Sequence, residues 1–459
     1  MELQAAIVEL TSLLGQRLSL STSDLDIHGR SETHFPLSPP DAVAYPATTD
    51  EVAQITRICA RHHCPIVAWG VGTSLEGQTQ IISGGVCVDF SQMNAILAVH
   101  PENMSVTIQP GVTREALNEE LRATGLFFPV DPGANATLGG MASTRASGTT
   151  AVRYGTMRDN VQALEVVTAN GEIIRTGTKA RKSSSGYDLT ALFVGAEGTL
   201  GLITELTLRL HGQPEAISGA VCAFPTVLDA VNAVTETIQM GLPMARIELM
   251  DTYSVRAVNA YSQMNLPEQP HLLVEFHGSN SAVDEQATLF GDIAADHSGA
   301  GFQWAKQEED RRALWAMRHS AYHAILATRP GAQALVTDVC VPISRLSETI
   351  NAARHDLAEL GYETAPILGH VGDGNFHATL LFDEGDTDAQ ERAVKASHRL
   401  VERALEFDGT ATGEHGIGLG KQKYMAQEHG AAWGVMGMIK QTLDPKNIMN
   451  PGKLVPSRN

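Results

Sequence analysis

Two histidines lie symmetrically about an Asp-Gly pair in the stretch Ile367 to Phe382, ILGHVGDGNFHATLLF. Asp-Gly is preferred in two-residue hairpin turns, because both central residues need positive φ. A turn at Asp373-Gly374 would pair His370 with His377 and place their Cβ atoms about 4.5–5.5 Å apart on one face. Two imidazoles at this separation can share one divalent ion. The spacing therefore predicts part of a metal site.

A second stretch, Gly409 to Lys421, places a carboxylate and an imidazole side by side between glycines, GTATGEHGIGLGK. Adjacent side chains on an extended segment diverge, so Glu414 can face a metal while His415 faces a group beside it. Two histidines and one carboxylate leave coordination positions open for water or substrate, and such a set is compatible with zinc or manganese. Each residue also has an ordinary structural explanation, since a histidine is more often a hydrogen-bonded polar residue than a ligand.

The composition excludes several classes of function. The chain has 459 residues, 43% of them hydrophobic and 19% charged, which is typical of a globular protein of two or three domains. Its net charge of −19 argues against a nucleic-acid surface and against electrostatic binding to anionic lipid. No run of 18 apolar residues appears, and an N-terminal amphipathic helix with acidic residues does not resemble a targeting signal.

Five cysteines are scattered without CxxC spacing, which excludes a recognisable iron–sulfur ligand set or zinc ribbon. Reduced thiols fit a cytoplasmic protein. We therefore expect a cytoplasmic location, and peripheral attachment at the inner membrane stays open.

Three glycine-rich loops occur in the first half of the chain. The first, Gly70 to Gly77, follows a predicted strand from Pro65 to Trp69, and before this strand lies a helix that Asp50 can cap. The second runs from Asp131 to Gly148 and the third from Gly195 to Ile203. Closely spaced glycines let the backbone approach a ligand, so three such loops on an α+β framework predict one large cofactor.

Near Gly212 the glycine-rich pattern gives way to alternating strands and helices. We therefore predict a cofactor-binding domain at residues 1–212 and a second domain at residues 213–459. The order of strand, helix, His-containing hairpin and helix predicts an antiparallel sheet with helices on one face. The tail 443–459 breaks its preceding helix with proline and is too polar and too rigid for a free end, so we expect it to return to the first domain.

Taken together, these motifs resemble the FAD-linked D-lactate dehydrogenases of cytochrome type, in the vanillyl-alcohol-oxidase flavoprotein superfamily. The segments GVGTSLEG, FFPVDPGANATLGGMASTRASGTTAVRYGTMRDN, GYDLTALFVGAEGTLG, TDVCVPISRL, GHVGDGNFH and TGEHGIGLGK occur in family order, so the resemblance covers nearly the whole chain. The resemblance implies a two-part FAD-binding domain of the vanillyl-alcohol-oxidase type and a substrate-binding cap domain.

The resemblance also implies which residues contact FAD. By this resemblance the pyrophosphate lies on the first loop, the flavin along the second and the other end of the cofactor near the third, while one residue of the C-terminal tail reaches back. In that order, the residues are Gly70, Val71, Gly72, Thr73 and Ser74, then Pro132, Gly133, Gly139, Gly140, Ser143 and Gly148, then Glu197, Gly198 and Ile203, and finally Asn450. Relatives that attach the flavin covalently carry a histidine or cysteine in the first loop or beyond it. The first loop here offers neither, so the resemblance implies non-covalent FAD.

For the chemistry, the resemblance implies that His370, His377 and Glu414 bind a divalent ion, that His415 accepts a proton and that Arg318 holds the substrate carboxylate. A 2-hydroxy acid loses its hydroxyl proton while the Cα hydride moves to flavin N5. The reaction therefore needs a base, a carboxylate anchor and a group that acidifies the hydroxyl. The alternative for Arg318 is a charge on a helix surface, close to the acidic residues at 308–310.

The expected substrate is D-lactate or a similar small D-2-hydroxy acid, with electrons passing to a quinone, a cytochrome or an electron-transfer flavoprotein. Relatives specific for 2-hydroxyglutarate carry a lysine where this chain has Val336, which favours a monocarboxylate. The alternatives are a D-2-hydroxyglutarate dehydrogenase, the FAD subunit of a glycolate oxidase, a metal-dependent hydrolase and a non-catalytic subunit. A homodimer is compatible with the sequence.

Overall fold

The computed structural model describes residues 2–305 and 307–455. The chain forms two units. The first contains Met1–Ser147, Gly155–Gln213 and Glu414–Asn459, and the second contains Gly148–Tyr154 and Pro214–Gly413. These units differ from the predicted domains at three places, since residues 148–154 lie in the second unit, and residue 213 and residues 414–442 lie in the first.

The strands within the described residues are numbered in chain order. They are β1 Leu18–Ser19, β2 Ala42–Ala44, β3 Ile66–Trp69, β4 Val86–Asp89, β5 Ile96–His100, β6 Ser105–Ile108, β7 Leu126–Phe127, β8 Val161–Thr168, β9 Ile173–Gly177, β10 Gly201–Arg209, β11 His211–Gly212, β12 Ala216–Ala223, β13 Met244–Met250, β14 His271–Gly278, β15 Ala300–Ala305, β16 Ala332–Val336, β17 Val339–Cys340, β18 Ile367–Gly369 and β19 Asn375–Asp383.

The helices are numbered in the same way. They are α1 Glu2–Leu14, α2 Thr22–His28, α3 Thr49–Arg61, α4 Arg114–Leu121, α5 Leu138–Thr144, α6 Ala151–Tyr154, α7 Met157–Asn160, α8 Leu189–Phe193, α9 Val227–Gln239, α10 Thr252–Ser262, α11 Asn280–Asp296, α12 Glu308–His319, α13 Ala321–Ala327, α14 Ile343–Glu359, α15 Thr387–Glu406, α16 Met425–His429 and α17 Ala431–Leu443. None of these helices is long and apolar enough to cross a membrane.

The first unit contains a four-stranded sheet in the order β1-β2-β4-β3 and a five-stranded sheet in the order β5-β6-β10-β8-β9. In the first of these sheets, β2, β4 and β3 are parallel, and α3 connects β2 to β3. The N-cap of α3 is Thr48, whose hydroxyl accepts from the Glu51 amide, so the prediction of Asp50 as the cap is wrong. Asp50 lies in the first helical turn, where its negative charge is still favourable.

The second unit is built on an eight-stranded antiparallel sheet within the described residues, in the order β15-β12-β14-β13-β18-β19-β16, with β17 also paired to β19. The apolar core on it includes Val221, Leu273 and Leu368 from the strands and Leu314 and Met317 from α12. The predicted α+β class and antiparallel second sheet are confirmed.

Candidate functional site

The histidine pair of the second unit lies on the connection between β18 and β19. The predicted two-residue hairpin is wrong: His377 pairs with Leu368, and residues Val371–Asp373 form a short 3₁₀ helix. The amides of Asp373 and Asn375 both donate to the His370 carbonyl, which closes this helical turn.

The predicted proximity of the two histidines is nevertheless present. The ring centroids of His370 and His377 are 5.5 Å apart and the ring planes make an angle of 81°. Each ring offers a nitrogen within 4.8 Å of a nitrogen of the other. This separation suits two ligands of one ion, since zinc–nitrogen bonds are about 2.0–2.1 Å long.

Both histidines are oriented through Nδ1. In His370, Nδ1 lies 2.7 Å from Oε1 of Glu248, and in His377 it lies 3.0 Å from the Thr337 carbonyl oxygen. A carbonyl and a carboxylate can only accept, so Nδ1 carries the proton in each ring and Nε2 is the nitrogen that could serve as a metal ligand. Histidine ligands are typically fixed by such a partner on the other ring nitrogen. The residues present therefore fit a divalent ion.

Glu248 also binds the predicted substrate anchor. Its side chain is fully buried, and its Oε2 accepts from Nε of Arg318 at 3.0 Å and lies 2.8 Å from Nη2. Arg318 is 8% exposed, so it is not a helix-surface charge. A guanidinium has five N–H donors, and this pairing leaves Nη1 for another acceptor. The single carboxylate of Glu248 thus joins Arg318 to His370, although no sequence motif indicated it.

A second acidic residue lies on the same face of the sheet. Glu275 of β14 is opposite Arg246 of β13, two residues before Glu248. Its carboxylate accepts from Trp315 Nε1 and lies 2.8 Å from Nε2 of His277, whose Nδ1 is 2.6 Å from the Tyr154 hydroxyl. Burial alone would raise the pKa of Glu275, but the bond from His277 and the charge of Arg246 outweigh it and lower the pKa.

A buried aspartate holds the segment that precedes Glu414. Asp338 is fully buried, and it accepts from Asn375 Nδ2 at 2.8 Å and from the Thr412 hydroxyl at 2.6 Å. Gly413 packs so closely that a Cβ there would lie 2.1 Å from Asn375 Nδ2. Asp338 Oδ1 is also 3.7 Å from His377 Nδ1. The backbone leading to Glu414 is therefore fixed beside His377.

The structure brings His370, His377 and Arg318 together in the second unit. Glu414 and His415 are the first residues of the last segment of the first unit. Their predicted roles towards the histidines stay predictions, as does the role of Arg318 towards substrate.

The first unit carries the glycine-rich loops, and two features fit a bound dinucleotide. The Ser74 hydroxyl oxygen is buried and has no hydrogen-bond partner among the described residues, so it can donate to a phosphate. A Cβ on Gly70 would lie 2.2 Å from the Thr137 hydroxyl, so the first loop lies directly against the second glycine-rich segment. In contrast, no atom of the described residues lies within 4 Å of the position that a Cβ on Gly133 would take, and its φ is +83°, so its backbone surface is open to a ligand.

Other predicted cofactor residues have structural explanations. A Cβ on Gly139 would lie 2.4 Å from Pro110, so glycine is needed there for packing of α5. Ile203 is buried in the core on β10, and the Ser143 hydroxyl donates to the Gly139 carbonyl within α5. Gly148 belongs to the second unit. For these residues, contact with FAD stays a prediction.

The C-terminal tail returns to the first glycine-rich loop. The Ile66 amide donates to Ile448, and the Asn450 amide donates back to Ile66. The Asn450 side-chain amide donates to the carbonyl oxygens of Gln78 at 3.0 Å and Glu197 at 2.7 Å. Asn450 therefore connects the third glycine-rich loop to the residue that directly follows the first.

Two buried ionisable groups lie at this junction. Burial raises the pKa of Glu197 to about 7, although amide bonds from Ile417 and Gly418 oppose the increase. Burial lowers the pKa of Lys453 to about 8, and the negative charge of Glu197 opposes that decrease. The Lys453 ammonium donates to Gln80 and Asn450.

Comparison with known proteins agrees with this architecture. Residues 40–177 match the family described as the FAD binding domain, and residues 213–454 match FAD linked oxidases, C-terminal domain. The chain therefore belongs to the FAD-linked oxidases, and it binds FAD.

Within that class, its relatives include D-lactate dehydrogenases. The chain is 48% identical over 442 residues to the probable mitochondrial D-lactate dehydrogenase of Danio rerio, covering 95% of this chain and 89% of that protein. It is 44% identical to the mitochondrial D-lactate dehydrogenase [cytochrome] of Arabidopsis thaliana, covering 98% and 80%. The glycolate oxidase subunit GlcD of Bacillus subtilis is 36% identical, covering 91% and 89%.

Solved structures confirm the predicted fold. p-Cresol methylhydroxylase superposes with a TM-score of 0.80 at 19% identity, covering 98% of this chain and 96% of that one. An alkyldihydroxyacetonephosphate synthase gives 0.78 at 20% identity, covering 98% and 86%. At this identity the similarity shows the fold alone.

The predicted cytoplasmic location is wrong on these comparisons. The relatives from Danio rerio and Arabidopsis thaliana are both named as mitochondrial proteins. The scattered cysteines and the acidic N-terminal helix were therefore insufficient grounds for assigning a compartment.

Proposed function

We propose that this protein oxidises D-lactate, or a D-2-hydroxy acid of similar size, to the 2-oxo acid. The observation that carries the proposal is the buried Glu248, which fixes Arg318 and His370 in one assembly. A 2-hydroxy acid presents a carboxylate beside a hydroxyl, and the assembly offers a cation for the first and a metal-binding imidazole for the second. The relatives named D-lactate dehydrogenase support the same substrate.

The chain's own residues would bind and orient the substrate. The Arg318 Nη1 group donates to the substrate carboxylate, while Glu248 keeps the guanidinium from rotating. His415 accepts the hydroxyl proton. When bound, FAD supplies the hydride acceptor, its N5 atom. In the absence of a histidine or cysteine in the first loop, we propose that FAD is held non-covalently.

We also propose a divalent ion, zinc or manganese, held by His370, His377 and Glu414. Its chemistry would be to lower the pKa of the substrate hydroxyl. Support comes from the Nδ1 partners of both histidines and from the anchored segment before Glu414. Val336, at the end of β16, supports a substrate without a second carboxylate. For the electron acceptor we propose a cytochrome, by analogy with the Arabidopsis relative's name.

One experiment tests the reaction. The purified protein is mixed anaerobically with D-lactate, L-lactate, glycolate or D-2-hydroxyglutarate, and the flavin absorbance is followed. We expect rapid bleaching with D-lactate and slower bleaching with the other acids. Faster bleaching with glycolate would favour the activity that the Bacillus subtilis relative's name indicates, and no bleaching by any acid would refute the proposal. Reduction of cytochrome c in the same mixture tests the acceptor.

A further inference from the structure

The buried Glu197 carboxylate lies against the loop that follows His415. The Ile417 amide donates to Oε1 at 2.6 Å and the Gly418 amide donates to Oε2 at 2.9 Å. Glu197 is 5% exposed. Each carboxylate oxygen therefore binds one of two consecutive amides, and hydrogen bonds to an ionised acceptor are stronger than those between neutral groups.

Gln78 holds the same loop one peptide earlier. Its Nε2 donates to the His415 carbonyl at 2.6 Å, and its Oε1 accepts from the Glu76 amide at 3.1 Å. Between these contacts lies Gly416, with φ of +80°, where a Cβ would be 2.5 Å from Glu197 Oε1 and 2.7 Å from Gln78 Nε2. The two side chains thus close over Gly416 and leave no room for a side chain there.

Glu197 itself is firmly placed. Its amide donates to Ser143 at 2.8 Å and its carbonyl accepts from Asn450 at 2.7 Å. Its φ is +52°, in the left-handed region that non-glycine residues seldom adopt. Such a conformation persists only where surrounding contacts determine it. The bonds on both sides of Glu197 supply those contacts.

These contacts change the role expected for Glu197. A carboxylate only accepts hydrogen bonds, so the ionised side chain cannot donate one to a cofactor. Both of its oxygens are bound by loop amides. We propose that Glu197, together with Gln78, is a positioning residue that sets the orientation of His415 towards the substrate hydroxyl. This inference rests on the proposed role of His415 as proton acceptor.

The test compares Glu197→Gln and Gln78→Met with the matched control Glu165→Gln. A glutamine at position 197 presents an NH₂ group to the amide of either Ile417 or Gly418. One of the two hydrogen bonds is therefore lost, while the side chain keeps its size. Glu165 is a buried glutamate on β8 of the same unit, and it binds Thr49 and Arg175 instead.

Flavin reduction by D-lactate is measured in stopped flow on the holoenzymes at pH 8. Displacement of a reacting group by about 1 Å costs on the order of 10²-fold. We therefore expect a 10- to 100-fold slower reduction at saturating D-lactate in Glu197→Gln and Gln78→Met. In both variants we expect the FAD content, the metal content and the affinity for oxalate, an inert analogue of lactate, to stay within about twofold of the parent protein. The control Glu165→Gln should reduce its flavin at the normal rate.

A double-mutant cycle separates positioning from a general structural effect. If Glu197 acts through His415, adding Glu197→Gln to His415→Ala should slow reduction no further. An equal fold-loss in both backgrounds would overturn the inference, as would normal rates in both positioning variants or a rate loss matched by FAD loss. Gln78→Met decides the question if Glu197→Gln does not fold. A normal rate in His415→Ala alone would instead refute the role of His415 as base.

Discussion

Replacing Glu248 by glutamine should weaken metal binding and destabilise the protein at the same time. Glu248 uses one oxygen for His370 and the other for Arg318. Both partners donate hydrogen bonds to Glu248. A glutamine side chain has one accepting oxygen and one NH₂ group, so the NH₂ group would face the N–H donor of either His370 or Arg318 and that hydrogen bond would be lost. Loss of a partner that orients a ligating histidine typically costs about 10–100-fold in metal affinity. We expect a weakening of that size for manganese or zinc.

The effect on stability follows from burial. Arg318 is 8% exposed, so Glu248→Gln leaves a buried cation without its counter-charge. Breaking a buried pair in this way costs about 3–5 kcal/mol. The matched control is Glu205→Gln on β10, because Arg175, the partner of Glu205, is 67% exposed. Exposed pairs contribute about 0–1 kcal/mol, so this control should change little.

Two measurements check this prediction. Metal titration of the metal-depleted holoenzyme gives the affinity, and urea denaturation followed by tryptophan fluorescence gives the change in the free energy of unfolding. The reasoning is refuted if Glu248→Gln binds metal within twofold of the parent protein and unfolds at the same urea concentration as Glu205→Gln.

Four further outcomes are expected. Acid denaturation should release FAD into the supernatant, and flavin colour that stays with the pellet would contradict non-covalent binding. A chelator, or either His370→Ala or His377→Ala, should remove metal and activity while FAD stays bound, as absorbance and metal analysis will show. His415→Ala should lower kcat by about 10²–10⁴-fold, whereas Arg318→Ala should mainly raise KM and also destabilise the fold, since the buried Glu248 carboxylate loses its cationic partner and keeps only the contact with His370. The pKa of Glu197 is raised to about 7 in the folded protein. Its contribution to stability is therefore fully present below pH 4.5 and is lost as the pH rises through 7. At about 1.4 kcal/mol per pKa unit, the free energy of unfolding should fall by about 3 kcal/mol over this range. Glu197→Gln should abolish this dependence in urea denaturation at pH 5 and pH 8, and an unchanged pH slope would contradict it.

The sequence predicted the histidine pair but not how the backbone brings it together. Asp373-Gly374 favours a two-residue turn locally, yet the chain forms a 3₁₀ turn. Tertiary packing explains the difference. Gly374 lies so close to Val341 that a Cβ would be 2.0 Å from its carbonyl oxygen, and the Gly374 carbonyl accepts from the Val341 amide. No local pattern contains this contact, because the two residues are distant in the chain.

The residues that orient the histidines were not predicted, and the reason is similar. Glu248 lies 122 positions from His370, on a strand where Arg246 and Glu248 alternate with apolar residues. Alternation of this kind is typical of a strand with one face in water. Here, however, the polar face is buried, and only the structure shows that α12 covers it with Trp315 and Arg318.

A consequence follows for judging function from motifs in chains of this kind. The residues proposed to react lie in short segments that are easy to recognise, GHVGDGNFH and TGEHGIG. Their geometry depends on Glu248, Asp338 and Glu197, which lie outside both segments and are fully buried or nearly so. A chain could keep both motifs and still lose metal or misplace its base through a substitution at one of these three positions. Retention of the motifs alone is therefore weaker support for activity than retention of the motifs together with these buried carboxylates.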